Sequence, residues 1–489
     1  MNKILKTLWF VIIAGAIFLG YIYMKPPSST TDTDITPEDA VTSEKTDLQK
    51  ESFDEAAEEK NPSDYIAEGD NYHNQGYLDE AIKAYHLALV ENPDSIQTLY
   101  KLGITYFANN QNLEARQYFN KLKENYESSQ IDILIGRTYI NKQEMPQAIS
   151  HFNQLDPNNP EVKYYKAIFQ ILQKNNEGAQ KELTSLLEIL NSTGPNEVPN
   201  EELEKKVKTL LDTYNAISIN KDSKEQHKEA LLSKALIEIN EFQAAIPLLF
   251  DVIKLQNNYR DAWVMLGYSY LNTGQYEDAI NALFQAKVLD PGKAETLFFI
   301  GITYAVQEMY DEAITYLEDA RDSGFEPISL VEQKLADLNL IKQNYDQALV
   351  SYENIINAEE ADLNLYTKAI WISIEKLDKP HKAIQLGEKA VAQHPEEAIS
   401  YSLRGWGFIS NGDYEKGKND LVAALELDPK LEHAYLSLGL LYEKQELSTL
   451  AKEYYKKAYM LGNGNSIANL AAIRFNNILK ADITSPYSP

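Results

Sequence analysis

The sequence predicts an all-α fold: a solenoid of helix–turn–helix units behind an amino-terminal transmembrane helix. Three observations predict it. A motif of mixed residue types returns along the chain at a period of about 34 residues. Within each copy the apolar residues fall at helical intervals, as in Trp263, Leu266, Gly267 and Tyr270. The run from Thr7 to Met24 holds no charged residue.

That run starts the chain. At 1.5 Å per residue its length of about 18 residues crosses roughly 27 Å, close to a hydrocarbon core. Trp9, Tyr21 and Tyr23 stand near its ends, where aromatic rings favour the interface. A cleaved signal peptide is the rival reading. Ala14-Gly15-Ala16 resembles a cleavage site, yet Ile17-Phe18-Leu19 continues the apolar run past it. Residues 1–25 are therefore expected to be a retained membrane anchor. Lys3 and Lys6 precede the run, and after Lys25 no basic residue follows until Lys45. The positive-inside rule then keeps the amino terminus in the cytoplasm and sends the repeats out.

Residues 26–60 are rich in Ser, Thr, Pro, Asp and Glu and poor in apolar side chains. Such a stretch buries too little surface to offset ordering entropy, and it reads as a disordered acidic linker. A net charge of -27 excludes electrostatic adhesion to nucleic acid or to an anionic membrane surface.

Residues 61–193 form a first arm of repeats. One copy holds Gly69, Tyr72, Ala81, Tyr85 and Ala88, and the next Gly103, Tyr106, Ala115, Phe119 and Leu122. A third holds Gly136, Tyr139, Ala148, Phe152 and Leu155. Between 194 and 225 the period fails, leaving a loop and one amphipathic helix, Glu201–Ile217. This segment is either a diverged repeat or a break dividing two arms. The second arm, 226–465, holds clear copies centred on Gly267, Gly301, Gly405 and Gly439. Weaker copies centre on Ala179, Ala245, Ala348 and Ala383, giving about eleven units in all. Small residues such as Gly267 and Ala279 let two helices approach, while Trp263, Tyr270 and Leu283 are expected to fill the space between units. "NTGQY" (Asn272–Tyr276) supplies the turn, since Asn and Gly tolerate the left-handed backbone that ends a helix. Residues 466–489 provide a capping helix and a tail, because a solenoid end must cover its last apolar face.

Little in the chain points to chemistry. There is no Cys, hence no thiolate nucleophile or cysteine metal site. The seven His are scattered and form no HExxH pair. Carboxylate pairs such as Glu277-Asp278 begin second helices, where they complement the helix dipole. No catalytic residue, metal site, cofactor or small-molecule substrate is expected.

The recurring residues resemble the tetratricopeptide repeat family over nearly all of 61–465. The resemblance implies a right-handed superhelix whose first helices line a concave groove for extended peptides or helices. The groove positions then fall on Tyr100, Ile104 and Phe107; on Val264, Tyr268 and Leu271; on Phe298 and Ile302; and on Trp406 and Ile409. Such apolar side chains either form an interaction surface or fill a tightly wound superhelix. Of the cations a chaperone-tail clamp in this family requires, only Arg137 and Lys368 are candidates, which argues against that subtype. The expected function is a membrane-tethered scaffold that binds protein segments in a cell-envelope assembly. The alternative is a non-catalytic adaptor subunit of an envelope enzyme such as a glycosyltransferase or protease.

Overall fold

The computed structural model describes residues 62–192, 200–219, 224–358, 361–462 and 466–484. The expected anchor, residues 1–25, and the expected linker, 26–60, lie outside the described residues. Among the described residues there is no strand, and no helix is long and apolar enough to cross a membrane.

The described chain forms two compact units that divide between Phe325 and Glu326. The amino-terminal unit holds α1 (Pro62–Asn74), α2 (Leu78–Glu91), α3 (Ile96–Ala108), α4 (Asn112–Asn125), α5 (Ser129–Asn141), α6 (Met145–Asn153), α7 (Pro160–Leu172) and α8 (Asn176–Asn191). It continues with α9 (Glu201–Ile219), α10 (Glu225–Glu238), α11 (Phe242–Leu255), α12 (Arg260–Asn272), α13 (Tyr276–Leu289), α14 (Ala294–Val306) and α15 (Tyr310–Asp322). The carboxy-terminal unit holds α16 (Ile328–Ile341), α17 (Tyr345–Asn357), α18 (Leu363–Trp371), α19 (Pro380–Gln393), α20 (Ala398–Ser410), α21 (Tyr414–Leu427), α22 (Glu432–Lys444), α23 (Ser448–Gly462) and α24 (Ser466–Thr484). All but α9 and α24 pair into eleven antiparallel hairpins.

Seven of the eleven hairpins share one packing device. A glycine on the first helix faces a large residue sixteen positions later on the second: Gly69 and Tyr85, Gly103 and Phe119, Gly136 and Phe152, Gly267 and Leu283, Gly301 and Leu317, Gly405 and Leu421, Gly439 and Tyr455. A Cβ on Gly103 would stand 2.4 Å from the Phe119 ring, and one on Gly267 would stand 2.5 Å from Leu283 Cγ. The missing side chain is what lets the partner lie across the helix.

Each hairpin turn also shares a backbone device. One residue has positive φ: Gly76, Asn110, Gln143, Lys174, Asn240, Gly274, Glu308, Gln343, Asp378, Gly412 and Glu446. The N–H of the following residue reaches back five positions to the last turn of the helix, as in Gln111 N to Tyr106 O at 2.9 Å and Gln275 N to Tyr270 O at 2.9 Å. This closing bond satisfies a carbonyl that the helix end would leave bare. The ninth hairpin deviates. Its first helix ends in a π turn, Ile372–Lys376, which adds one residue. Its closing bond accordingly spans six residues, from Lys379 N to Ser373 O at 2.7 Å.

At the insertion the sequence leaves two readings open, a diverged repeat or a break between two arms. Helix α9 packs against both α8 and α10, and the division into units falls at 325/326 rather than within 194–225. Its apolar stripe, Leu203, Val207, Leu210 and Tyr214, is buried, so the helix continues the stack instead of breaking it. Helix α24 packs on α23 and buries Ala468, Ala471 and Phe475.

Candidate functional site

The ten expected groove residues do not share one environment. Tyr100 is 38% exposed, and Ile104 and Phe107 are half-buried beside it on α3. The Arg137 guanidinium lies 4.9 Å over the Phe107 ring. Trp406 is also half-buried. The other six, Val264, Tyr268, Leu271, Phe298, Ile302 and Ile409, are at most 4% exposed. They are core side chains and not surface anchors.

The reason is local. Helix α12 touches α10, α11, α13 and α14, so no face of it is left open. Tyr268 packs on Phe242 at 5.7 Å and on Phe299 at 5.1 Å between ring centroids. Phe298 stacks on Phe325 at 4.2 Å, in the segment that follows α15. The turns beside α12 meet the early hairpins as well: Gln143 Nε2 donates to Gln275 Oε1 at 2.9 Å. Trp263, expected in the core, is instead half-buried at the start of α12 and donates from Nε1 to the Asn257 carbonyl at 2.8 Å.

An open apolar site exists in the carboxy-terminal unit. A cavity of about 280 Å³ is lined by the first helices of three successive hairpins and by the cap α24. Trp371 comes from α18, Trp406 from α20, Leu436 and Leu440 from α22, and Ile467 and Leu470 from α24. The π turn lies at its edge and presents Glu375 to it. Such turns recur where a helix must re-aim side chains at a functional site. Lys368 and Arg474 stand at the rim in loose ion pairs: Lys368 is 3.7 Å from Asp337, and Arg474 is 3.6 Å from Glu443 and 4.0 Å from Glu375.

His433 closes the cavity floor. Its ring sits 5.6 Å from that of Trp406 and shares a hydrogen bond with the Ser402 hydroxyl at 2.8 Å. Burial pushes its pKa down from the usual 6.5 to about 4. The folded unit therefore binds fewer protons than the unfolded chain between those values. Stability is fully present above pH 6.5 and falls as pH drops towards 4, by about 3 kcal/mol at 1.36 kcal/mol per unit. Urea unfolding at pH 7 and pH 4.5 is expected to show this loss, and His433→Gln to reduce it; an equal loss in both proteins would mean that other groups carry it.

Sequence reasoning named Trp406 as a groove position and Lys368 only among cations too few for a clamp, and it did not single out Trp371, His433 or Arg474. A signal was present: Trp371 and Trp406 are one repeat period apart, so they occupy equivalent positions on successive first helices. The part played by α24 had none, because a cap's reach across the stack depends on packing.

A sequence profile of the tetratricopeptide repeat matches residues 231–294, 265–327 and 402–466, and a second profile of the same repeat matches 97–129. No curated protein sequence matches the chain. Similar solved structures include the C-terminal part of a TPR repeat-containing protein from Cytophaga hutchinsonii, at 15% identity and TM-score 0.39, covering 49% of this chain and 97% of that one. The APC/C hetero-tetramer Cut9-Hcn1 aligns at 13% identity and TM-score 0.29, covering 86% and 96%. YrrB, a TPR protein with an unusual peptide-binding site, aligns at 18% identity and TM-score 0.26, covering 46% and 96%. The profile matches lie in both units and take in the glycine-paired hairpins at Gly103, Gly267, Gly301, Gly405 and Gly439, so these stretches are similar to the tetratricopeptide repeat.

Proposed function

We propose that this protein is a membrane-tethered scaffold that holds a segment of a partner protein in a cell-envelope assembly. Tetratricopeptide repeat proteins generally mediate protein–protein interactions, and the residues here offer a place for one. The observation that carries the reading is the Trp371–Trp406 cavity, open and apolar on successive first helices. Tryptophans in such a setting are the side chains that most often dominate binding energy. The tether is the uncharged run Thr7–Met24, and the charge pattern around it directs the repeats out of the cytoplasm.

Replacing Trp371 and Trp406 together by Ala is expected to weaken partner capture by about 2 kcal/mol or more. Co-purification from membranes, comparing the full-length chain with the double variant, tests this. Equal recovery of the same partners by both proteins would place the binding surface elsewhere, with Tyr100, Ile104 and Phe107 the next to be tested. Protease added to intact spheroplasts tests the topology: protection of the repeats until lysis would reverse it. A captured enzyme would favour the adaptor role over a purely structural one.

A further inference from the structure

The mouth of the Trp371–Trp406 cavity is balanced in charge. Lys368 lies 3.7 Å from Asp337, and Asp337 also acts on the buried amine of Lys334. Arg474 stands 3.6 Å from Glu443 and 4.0 Å from Glu375. Three cations thus face three carboxylates. An anion entering here would meet Asp337, Glu375 and Glu443, and a cation would meet Lys334, Lys368 and Arg474. The Trp371 ring offers no free cation site either, since Lys376 Nζ already lies 5.0 Å from its centroid. The occupant that suits this mouth is neutral.

Size and walls point to an aromatic group. At about 280 Å³ the cavity exceeds the roughly 150 Å³ that takes a benzene ring, and it admits a fused pair of rings. Trp406 already meets the His433 ring edge to face, with 69° between the planes. A further ring set against Trp371 or Trp406 gains the same kind of contact, which an aliphatic chain does not. His433 adds one polar point. It is 6% exposed, lines the cavity and is neutral at pH 7. Its Nδ1 shares a hydrogen bond with the Ser402 hydroxyl, and no other hydrogen bond to the ring is found among the described residues. A neutral imidazole has one donor and one acceptor nitrogen. With Nδ1–H donating to Ser402 Oγ, Nε2 is left as an acceptor on an apolar floor. A buried acceptor without a partner is costly, so the group that completes the cavity brings an N–H.

We propose, on the reading of this cavity as the partner site, that the bound segment is anchored by a tryptophan whose indole enters the cavity and donates its N–H to His433 Nε2. Tryptophan is the standard side chain that joins two fused rings to an N–H and carries no charge. Tyrosine offers an O–H on a single ring. Phenylalanine and leucine leave Nε2 unmade.

Calorimetric titration of the full-length protein with N-acetyltryptophanamide, with its benzothienylalanine analogue and with N-acetylleucinamide tests the proposal. The analogue keeps the fused rings and puts sulfur in place of the N–H. The tryptophan probe is expected to bind at millimolar concentration, the analogue to bind about fivefold or more weaker, and the leucine probe weaker again. His433→Phe is expected to abolish the difference between the first two. The ranking is read on the native protein even if that variant does not fold. Absence of tryptophan binding at millimolar concentration overturns the proposal, and so does equal binding of the tryptophan probe and its analogue. The anchor and the site fail separately. Lost capture in the Trp371/Trp406 double variant without tryptophan binding overturns the indole anchor and leaves the partner site standing. Tryptophan binding with unchanged capture overturns the partner site and the anchoring role with it.

Discussion

Replacing Tyr268 or Phe298 by Ala is expected to lower the stability of the amino-terminal unit by about 3–5 kcal/mol each, the range for deleting a large buried side chain. Tyr268 is 1% exposed and Phe298 0%. Each sits in a chain of aromatic contacts that runs from Phe242 through Tyr268, Phe299 and Phe298 to Phe325. Removing either ring leaves a cavity whose walls are held by separate helices and cannot all collapse inwards. Trp263→Ala is expected to cost less, because Trp263 is half-buried and its Nε1 bonds a loop carbonyl near the surface. Urea unfolding of the three variants, read with a probe confined to this unit, decides the order. A larger loss from Trp263→Ala than from Tyr268→Ala would mean that α12 presents the opposite face to the core.

That ordering shows which part of the site was legible and which was not. The hairpins were legible because Gly267 and Leu283, or Gly439 and Tyr455, are a local pair whose spacing depends only on helix geometry and turn length. The turns were legible where glycine marks them, at Gly274 and Gly412, and hidden where Gln143, Lys174 or Glu308 adopts the left-handed backbone. Groove exposure is a different kind of property. It depends on how neighbouring hairpins close on one another, and a family resemblance supplies a face without saying whether anything covers it. A hint did exist. "RDAWVMLGYSYLN" in α12 and "AETLFFIGITYAV" in α14 are apolar nearly all round, which marks helices surrounded by protein. "IQTLYKLGITYFA" in α3 has a clearer polar side, and there Tyr100 is exposed. The one-residue π insertion after Trp371 leaves the period readable and changes only the aim of the side chains, so pattern matching passes over it.

Replacing Gly387 by Leu is expected to destabilise the carboxy-terminal unit by about 1–3 kcal/mol or more through overpacking. At most glycines of the hairpin motif, such as Gly103 and Gly267, the nearest obstacle is a side chain that can turn aside. At Gly387 it is main chain: a Cβ there would stand 2.6 Å from Arg404 Cα. The approach is mutual, since a Cβ on Gly407 of α20 would stand 3.0 Å from the Ile384 nitrogen of α19. Relief requires the two helices to separate. Arg404 resists that movement, because its guanidinium grips Asp420 through two hydrogen bonds of 2.7 Å. Trp406 lies two residues further along α20, so a displaced helix also moves it away from Trp371 and spoils the apolar cavity. Gly387→Leu is therefore expected to lower both the unfolding midpoint and partner capture, and Gly387→Ala to do so to a smaller degree. Gly292→Ala is the control, as a Cβ there meets nothing within 4 Å. Unfolding and capture measured on the three variants distinguish the cases. If Gly387→Leu unfolds like the Gly292→Ala control, the backbones of α19 and α20 do not touch. If it loses stability but captures partners at wild-type strength, the position of Trp406 does not govern binding.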